Sequence, residues 1–238
     1  ITEELYIERK RDVVRRCIYG VDLNPLAVDL ASLSLWLETL SSEKPLSFLQ
    51  SHLKCGNSLI GSEIESIFSE QSTLFESGKG RNDLQKNIKN FLALENLKDD
   101  TTSAVKLKLE EYKKMQSGTT YKDVQFRLNC KTAESFGIEL PILYDDREIG
   151  ENSLDSYTDE EQQKIVSLSV QERFFHWELE FPQVFYDENG NKKINPGFDC
   201  IIGNPPYVRQ ESITEKQSMQ LSKHTKLRLH VFEIPSKS

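Results

Sequence analysis

The sequence predicts an α/β fold in which a sheet is interrupted by a long, mostly helical insertion. Three observations predict it. Short apolar runs at 17–22, 53–56 and 198–203 each lead into a polar turn, as strands do at the ligand-binding edge of an open α/β sheet. A leucine-rich stretch of helical period separates the first two runs, so that strand, helix and strand follow in succession. Between Asn57 and Asn204 the chain is far longer than one crossover helix requires, and much of it carries helical spacing.

Taken in order, residues 1–16 read as a charged amphipathic helix whose basic cluster, Arg9-Lys10-Arg11 and Arg15-Arg16, is expected to be a solvated face. Cys17-Ile18-Tyr19-Gly20-Val21-Asp22 then reads as a short buried strand delivering a carboxylate at its end. Asn24 is placed to cap a helix with Pro25 at its first position. Leu26, Leu30, Leu33, Leu37 and Leu40 follow at spacings of three and four, widened by Val28, Leu35 and Trp36, as expected of a helix packed on a sheet. Leu53-Lys54-Cys55-Gly56-Asn57-Ser58 is a second short strand running into a Gly-Asn turn.

In the insertion, residues 62–77 look helical through Ile64, Ile67, Phe68 and Leu74. A second helical stretch spans about 83–116, with a break at Asp99-Asp100-Thr101-Thr102. A third helix begins at Thr158, where Glu161 completes a capping box. The aromatic run Phe174–Phe185 is expected to be strand or extended chain, because Trp177, Leu179 and Phe181 alternate, and His176 within it reads as a core histidine.

The chemistry is carried by Asn204-Pro205-Pro206-Tyr207, entered from the apolar run Phe198–Gly203. Two consecutive prolines fix φ and remove two donors, so the turn presents carbonyl oxygens and one side-chain amide in a stiff geometry. Such a site suits an NH2 group that needs two acceptors. If the Asn204 oxygen and the Pro205 carbonyl each accept a hydrogen bond from one N–H of a planar amine, the nitrogen is pulled toward tetrahedral geometry and its lone pair is freed for attack. Tyr207 adds an aromatic face on which an extruded base can stack.

A strand ending in Asn-Pro-Pro-Tyr resembles the catalytic motif of amino-methyltransferases that use S-adenosylmethionine, above all the N6-adenine DNA methyltransferases. The run from Phe174 to Phe185 resembles the segment preceding that motif in type IIG restriction-modification enzymes. The resemblance implies a Rossmann-like methyltransferase sheet. It assigns Asn204, Pro205, Pro206 and Tyr207 to catalysis and Asp22, Leu23, Asn57 and Ser58 to cofactor binding, with Asp22 at the ribose and Asn57 at the adenine. The residues also admit plainer readings: Asp22 as a turn carboxylate, Asn24 as a cap alone, Asn57 as an ordinary turn residue. Members of the family begin with a strand and a glycine loop near the cofactor's methionine moiety, and nothing before Cys17 resembles it. The chain is therefore expected to be a fragment, with partial methyltransferase core at 1–61 and 174–238 and the insertion at 62–173. The remaining polypeptide is expected to supply the glycine-loop strand and a target-recognition domain, and double-stranded DNA is the expected substrate partner.

Composition agrees with that division. The 238 residues carry a net charge of −8, so a basic DNA footprint is expected elsewhere. Cys17, Cys55, Cys130 and Cys200 show no paired spacing, which points to reduced thiols without zinc and to a cytoplasmic protein. No apolar run approaches the roughly 20 residues of a membrane span. Cys200 is preceded by Asp199, unlike the proline-preceded nucleophile of cytosine C5 methyltransferases, and is expected to be buried and inert in its strand. Two alternatives stay open. One is a glutamine N5-methyltransferase acting on release factors, which shares the tetrapeptide but not the long insertion. The other is a noncatalytic relic that only binds partners.

Overall fold

A computed structural model describes residues 2–40, 45, 48–68, 79–138 and 157–203. The Asn204–Tyr207 motif and the chain beyond it lie outside these residues.

Helix α1 (Glu3–Cys17) starts at Thr2, whose hydroxyl accepts the Leu5 N–H at 3.4 Å. Its basic residues are not simply a solvated face. Lys10 pairs with Glu38 at 2.8 Å, Arg11 is buried and donates to the Pro45 carbonyl at 2.9 Å, and Arg15 meets Asp99 at 3.0 Å. Only Arg9 and Arg16 of the cluster are exposed. Because α1 runs on through Cys17, strand β1 is confined to Gly20–Asp22. It pairs in parallel with β2 (Leu53–Cys55), in the register Gly20 to Leu53, Val21 to Lys54 and Asp22 to Cys55.

Helix α2 (Pro25–Glu38) connects the two strands and begins as its sequence requires, with the Asn24 side chain accepting the Leu26 N–H at 3.0 Å and Pro25 in the first turn. The side turned to the sheet differs from expectation. Leu26, Leu30, Leu33, Leu37 and Leu40 are all exposed, and no residue of α2 is buried. Ala27, Val28, Ser32, Leu35 and Trp36 are the half-buried positions. Among the described residues the sheet has two strands, and a surface that narrow can cover only one side of a helix.

Of the expected helix at 62–77, the described part, 62–68, holds a 3-10 turn at Ile64–Ile67; residues 69–77 lie outside the described residues. Helices α3 (Lys79–Asn96) and α4 (Thr102–Ser117) flank the anticipated break, where Thr101 caps α4 by accepting the Ala104 N–H at 3.2 Å. Helix α5 (Thr119–Ser135) was not foreseen. It follows α4 across Gly118 alone and buries Val124, Leu128 and Ala133 completely. Helix α6 (Asp159–Gln171) carries the expected capping box: the Glu161 N–H donates to Thr158 Oγ1 at 3.3 Å and the Thr158 N–H to Glu161 Oε2 at 2.8 Å.

Past His176 the aromatic run is neither strand nor extended. It forms two single-turn helices, α7 (Trp177–Glu180) and α8 (Pro182–Phe185), hinged at Phe181, with Pro182 opening the second. Such turns suit a segment that sends Phe175, Leu179, Phe181, Val184 and Phe185 into one core. Phe198–Gly203 likewise makes no strand ladder among the described residues. The main core gathers Phe48 and Ile64 with side chains of α3, α4, α5, α7 and α8, and Tyr19, Val21 and Phe198 pack against it. Among the described residues the fold is thus mixed α/β, mostly helical, around a two-stranded parallel sheet.

Candidate functional site

Parallel pairing sends both strands the same way, so the polar turns after β1 and β2 emerge together at their carboxyl edge. Asp22 is exposed, and one of its oxygens accepts the Asn24 N–H at 2.7 Å in an Asx turn. The Gly56 N–H donates to the Asp22 carbonyl at 3.0 Å and continues the pairing into the second turn. There Asn57 Oδ1 accepts the Leu59 N–H at 3.1 Å, so the turn role is filled and the amide NH2 remains as a donor. Leu23 is 46% exposed and offers an apolar face beside Asp22, while Ser58 lies exposed beyond Asn57.

The second turn is clamped from behind by the chain that leaves α6. The Asn57 N–H donates to the Arg173 carbonyl at 2.7 Å, the Phe175 N–H donates to the Ile60 carbonyl at 2.7 Å, and Asn57 and Phe174 form a parallel bridge. Two glycines make this contact possible. A Cβ on Gly56 would lie 2.6 Å from the Phe175 ring, and one on Gly61 would lie 1.9 Å from the Phe175 carbonyl oxygen. The Trp177 indole N–H donates to the Ser58 carbonyl at 2.9 Å. His176 is buried: its Nδ1 accepts the Ser62 N–H at 3.1 Å, which leaves the proton on Nε2, 2.9 Å from Asn129 Oδ1. A neutral imidazole engaged at both nitrogens is a structural joint, in line with the sequence reading.

Arg173 has φ +53°, the single positive φ at a non-glycine position among the described residues. It occupies the left-handed position just past the end of α6, where glycine is usual, and the Phe174 N–H closes the helix end on the Ser169 carbonyl at 3.0 Å. That conformation costs a side-chain-bearing residue about 1–2 kcal/mol. The Arg173 guanidinium donates to the Leu23 carbonyl and lies 3.6 Å from Cys55 Sγ. Sequence reasoning missed this residue, because an arginine near a helix end is ordinary in sequence and its left-handed backbone shows only in the fold.

Lys54 was missed too. It is buried in the middle of β2 and reaches Glu180 at 3.2 Å and the Tyr112 hydroxyl, with Tyr121 donating to Glu180 at 2.9 Å. Burial pulls its pKa down, but Glu180 and Tyr112 outweigh burial and hold it above the ordinary lysine value.

Toward the motif, Phe198 is ringed edge-on by Tyr19 at 5.4 Å, Trp177 at 5.5 Å and Phe181 at 5.9 Å between centroids. The segment entering Asn204 is therefore anchored beside the start of β1. Asn204, Pro205, Pro206 and Tyr207 themselves lie outside the described residues. Cys200 is exposed, contrary to the buried strand position expected, because its segment forms no strand. Among the described residues no cluster of His, Cys, Asp and Glu could hold a metal ion, and no helix is long and apolar enough to cross a membrane.

Comparison with known proteins adds two findings. A family model described as Eco57I restriction-modification methylase matches residues 16–231. A protein of Methanocaldococcus jannaschii whose name describes a type II restriction enzyme and methyltransferase is 26% identical over 258 residues, covering 92% of this chain and 20% of that protein. The chain thus spans about a fifth of the curated relative it matches. No solved structure matches it.

Proposed function

This chain belongs to the Eco57I restriction-modification methylase family, and from that premise we propose that it forms part of a DNA adenine-N6 methyltransferase of a restriction-modification system that uses S-adenosylmethionine. The observation that carries the reading is the parallel register setting Asp22 opposite Cys55, so that the turns bearing Asp22 and Asn57 stand side by side at one sheet edge. The donor set fits the cofactor. Asp22 has one oxygen without a partner among the described residues, suited to a ribose diol, and Leu23 offers an apolar surface for a flat ring. Asn57 and Ser58 would hold the adenine edge, through the amide NH2 of one and the backbone or hydroxyl of the other. When bound, the cofactor supplies a methyl group made electrophilic by a positively charged sulfur.

The chain's other task is to prepare the nucleophile. The Asn204 side-chain oxygen and the Pro205 carbonyl each accept a hydrogen bond from one N6–H of a flipped adenine. Pro206 keeps the turn stiff and Tyr207 stacks on the base, so that preorganised acceptors stabilise the charge developing on nitrogen. In this reading β1 and β2 are adjoining strands of a larger Rossmann-like sheet, with 1–61 and 174–238 as methyltransferase core and 62–173 as an insertion. Further polypeptide supplies the glycine-loop strand and the target-recognition domain, and the protein works on duplex DNA in the cytoplasm.

The test is transfer of labelled methyl to duplex DNA by the full-length gene product. Asn204→Ala is expected to lower turnover by a factor of about 10² to 10³ while retaining cofactor affinity. Asp22→Ala is expected to weaken cofactor binding about 10- to 100-fold, the loss of hydrogen bonds to a charged acceptor. Unchanged turnover in Asn204→Ala, or label recovered on cytosine, removes the reading.

A further inference from the structure

We infer that Arg173 is a positioning residue for the cofactor site, holding the Asp22–Leu23 turn and the Cys55–Asn57 turn at a fixed separation. The inference rests on reading those turns as the cofactor's ribose and adenine contacts. Three bonds from one short segment converge on them. The Arg173 guanidinium donates to the Leu23 carbonyl in the first turn, the Arg173 carbonyl accepts the Asn57 N–H in the second at 2.7 Å, and the guanidinium also lies 3.6 Å from Cys55 Sγ, which itself contacts the Leu23 carbonyl at 3.5 Å.

The backbone argues that the side chain matters. Glycine at this position would turn the chain out of α6 just as well, without left-handed strain, and would keep the carbonyl bond to Asn57. What arginine adds is the reach to Leu23. Strain retained at such a point is a sign of function, not of folding need. The consequence is that α6, the last long helix before the aromatic run, ends on the cofactor turns, so any shift of α6 is passed to both of them together.

Arg173→Gly separates the two roles, because it relieves the strain while removing the tie. In the full-length protein, calorimetry with S-adenosylhomocysteine is expected to show about tenfold weaker binding, the worth of one lost charged hydrogen bond. KM for S-adenosylmethionine should rise by a similar factor with kcat little changed, and Tm should be equal or higher. Arg173→Lys, which keeps a donor but not the planar fork, should fall between. Wild-type affinity in Arg173→Gly would overturn the inference, as would a parallel loss of Tm and kcat, which would assign Arg173 to the fold alone. Asp22→Ala serves as the control: if it weakens binding while Arg173→Gly does not, only this inference fails. If the unsubstituted protein binds no S-adenosylhomocysteine, the underlying reading fails as well.

Discussion

Replacing Lys54 by methionine tests how the helical insertion is fastened to the strand that carries the candidate site. The ammonium of Lys54 lies 3.2 Å from Glu180 and 4.7 Å from the centre of the Tyr112 ring, with side-chain exposures of 10% for Lys54 and 17% for Glu180. Methionine keeps most of the volume of the lysine stem, so the packing loss is small. The electrostatic loss is not. Removing one partner of a buried pair costs about 3–5 kcal/mol, since the other charge stays behind uncompensated. Glu180 keeps the Tyr121 hydroxyl at 2.9 Å and some contact with water, which places the cost near the lower end, about 3 kcal/mol. For a chain of this size that is a fall of roughly 6–12 °C in Tm. The double variant Lys54→Met/Glu180→Gln should lose clearly less than the two single losses added together, with a coupling of about 1–3 kcal/mol. The pH dependence has a definite sign. Burial lowers the Lys54 pKa but Glu180 and Tyr112 raise it more, so the folded value stands above 10.5. The contribution is then complete below pH 10.5 and fades as pH rises through the folded value, and the two proteins' stabilities should approach each other there. Urea unfolding and thermal melts followed by circular dichroism read these. A single-variant loss below about 1 kcal/mol, or strict additivity in the cycle, would refute the reasoning.

Tyr207→Phe should be nearly silent in single-turnover methylation, whereas Tyr207→Ala should lose the equivalent of about 1–3 kcal/mol, more on paired than on mismatched adenine. Equal damage from both would make the hydroxyl the working group. Burial pushes the Cys130 thiol up to about 12 while Cys17, Cys55 and Cys200 are exposed, so iodoacetamide on the native protein should label those and spare Cys130. Intact-mass analysis checks this, and bound S-adenosylhomocysteine should slow labelling of Cys55. Gly61→Ala must displace the Phe175 carbonyl, which lies 1.9 Å from the added carbon, and should destabilise by about 1–3 kcal/mol in the same urea assay. A neutral substitution would show that the 57–61 turn yields freely.

Local signals made several elements legible. Asn24-Pro25 started α2, Thr158 with Glu161 started α6, and the polar break at 99–102 divided α3 from α4, because caps and turns are settled by neighbours in sequence. Of the candidate site, the two polar turns at the strand ends were legible. Asp22 and Asn57 were chosen from strand ends and turn chemistry, and the fold brings their turns together.

The rest was decided by contacts between distant segments. Helix α5 carries no capping side chain at its start, and its buried Val124, Phe126, Leu128 and Cys130 alternate as a strand's would, so only its packing against α3, α4 and α6 reveals a helix. The Phe174–Phe185 run has the alternation of a strand and takes helical turns because one core must receive Phe175, Phe181 and Phe185 at once. Nor does sequence say which side of α2 meets the sheet, since its leucines are apolar on either account. Lys54 and Arg173 show the limit most clearly. A lysine amid strand residues and an arginine at a helix end are ordinary in sequence, and each becomes particular only through groups more than 50 positions away: Glu180 and Tyr112 for one, Leu23 and Cys55 for the other. Caps, turns and strand ends depend on neighbouring bonds and were determined by the sequence itself; a buried charge and a tie across two turns exist only when long-range packing has closed the distance, and so belonged to the tertiary structure.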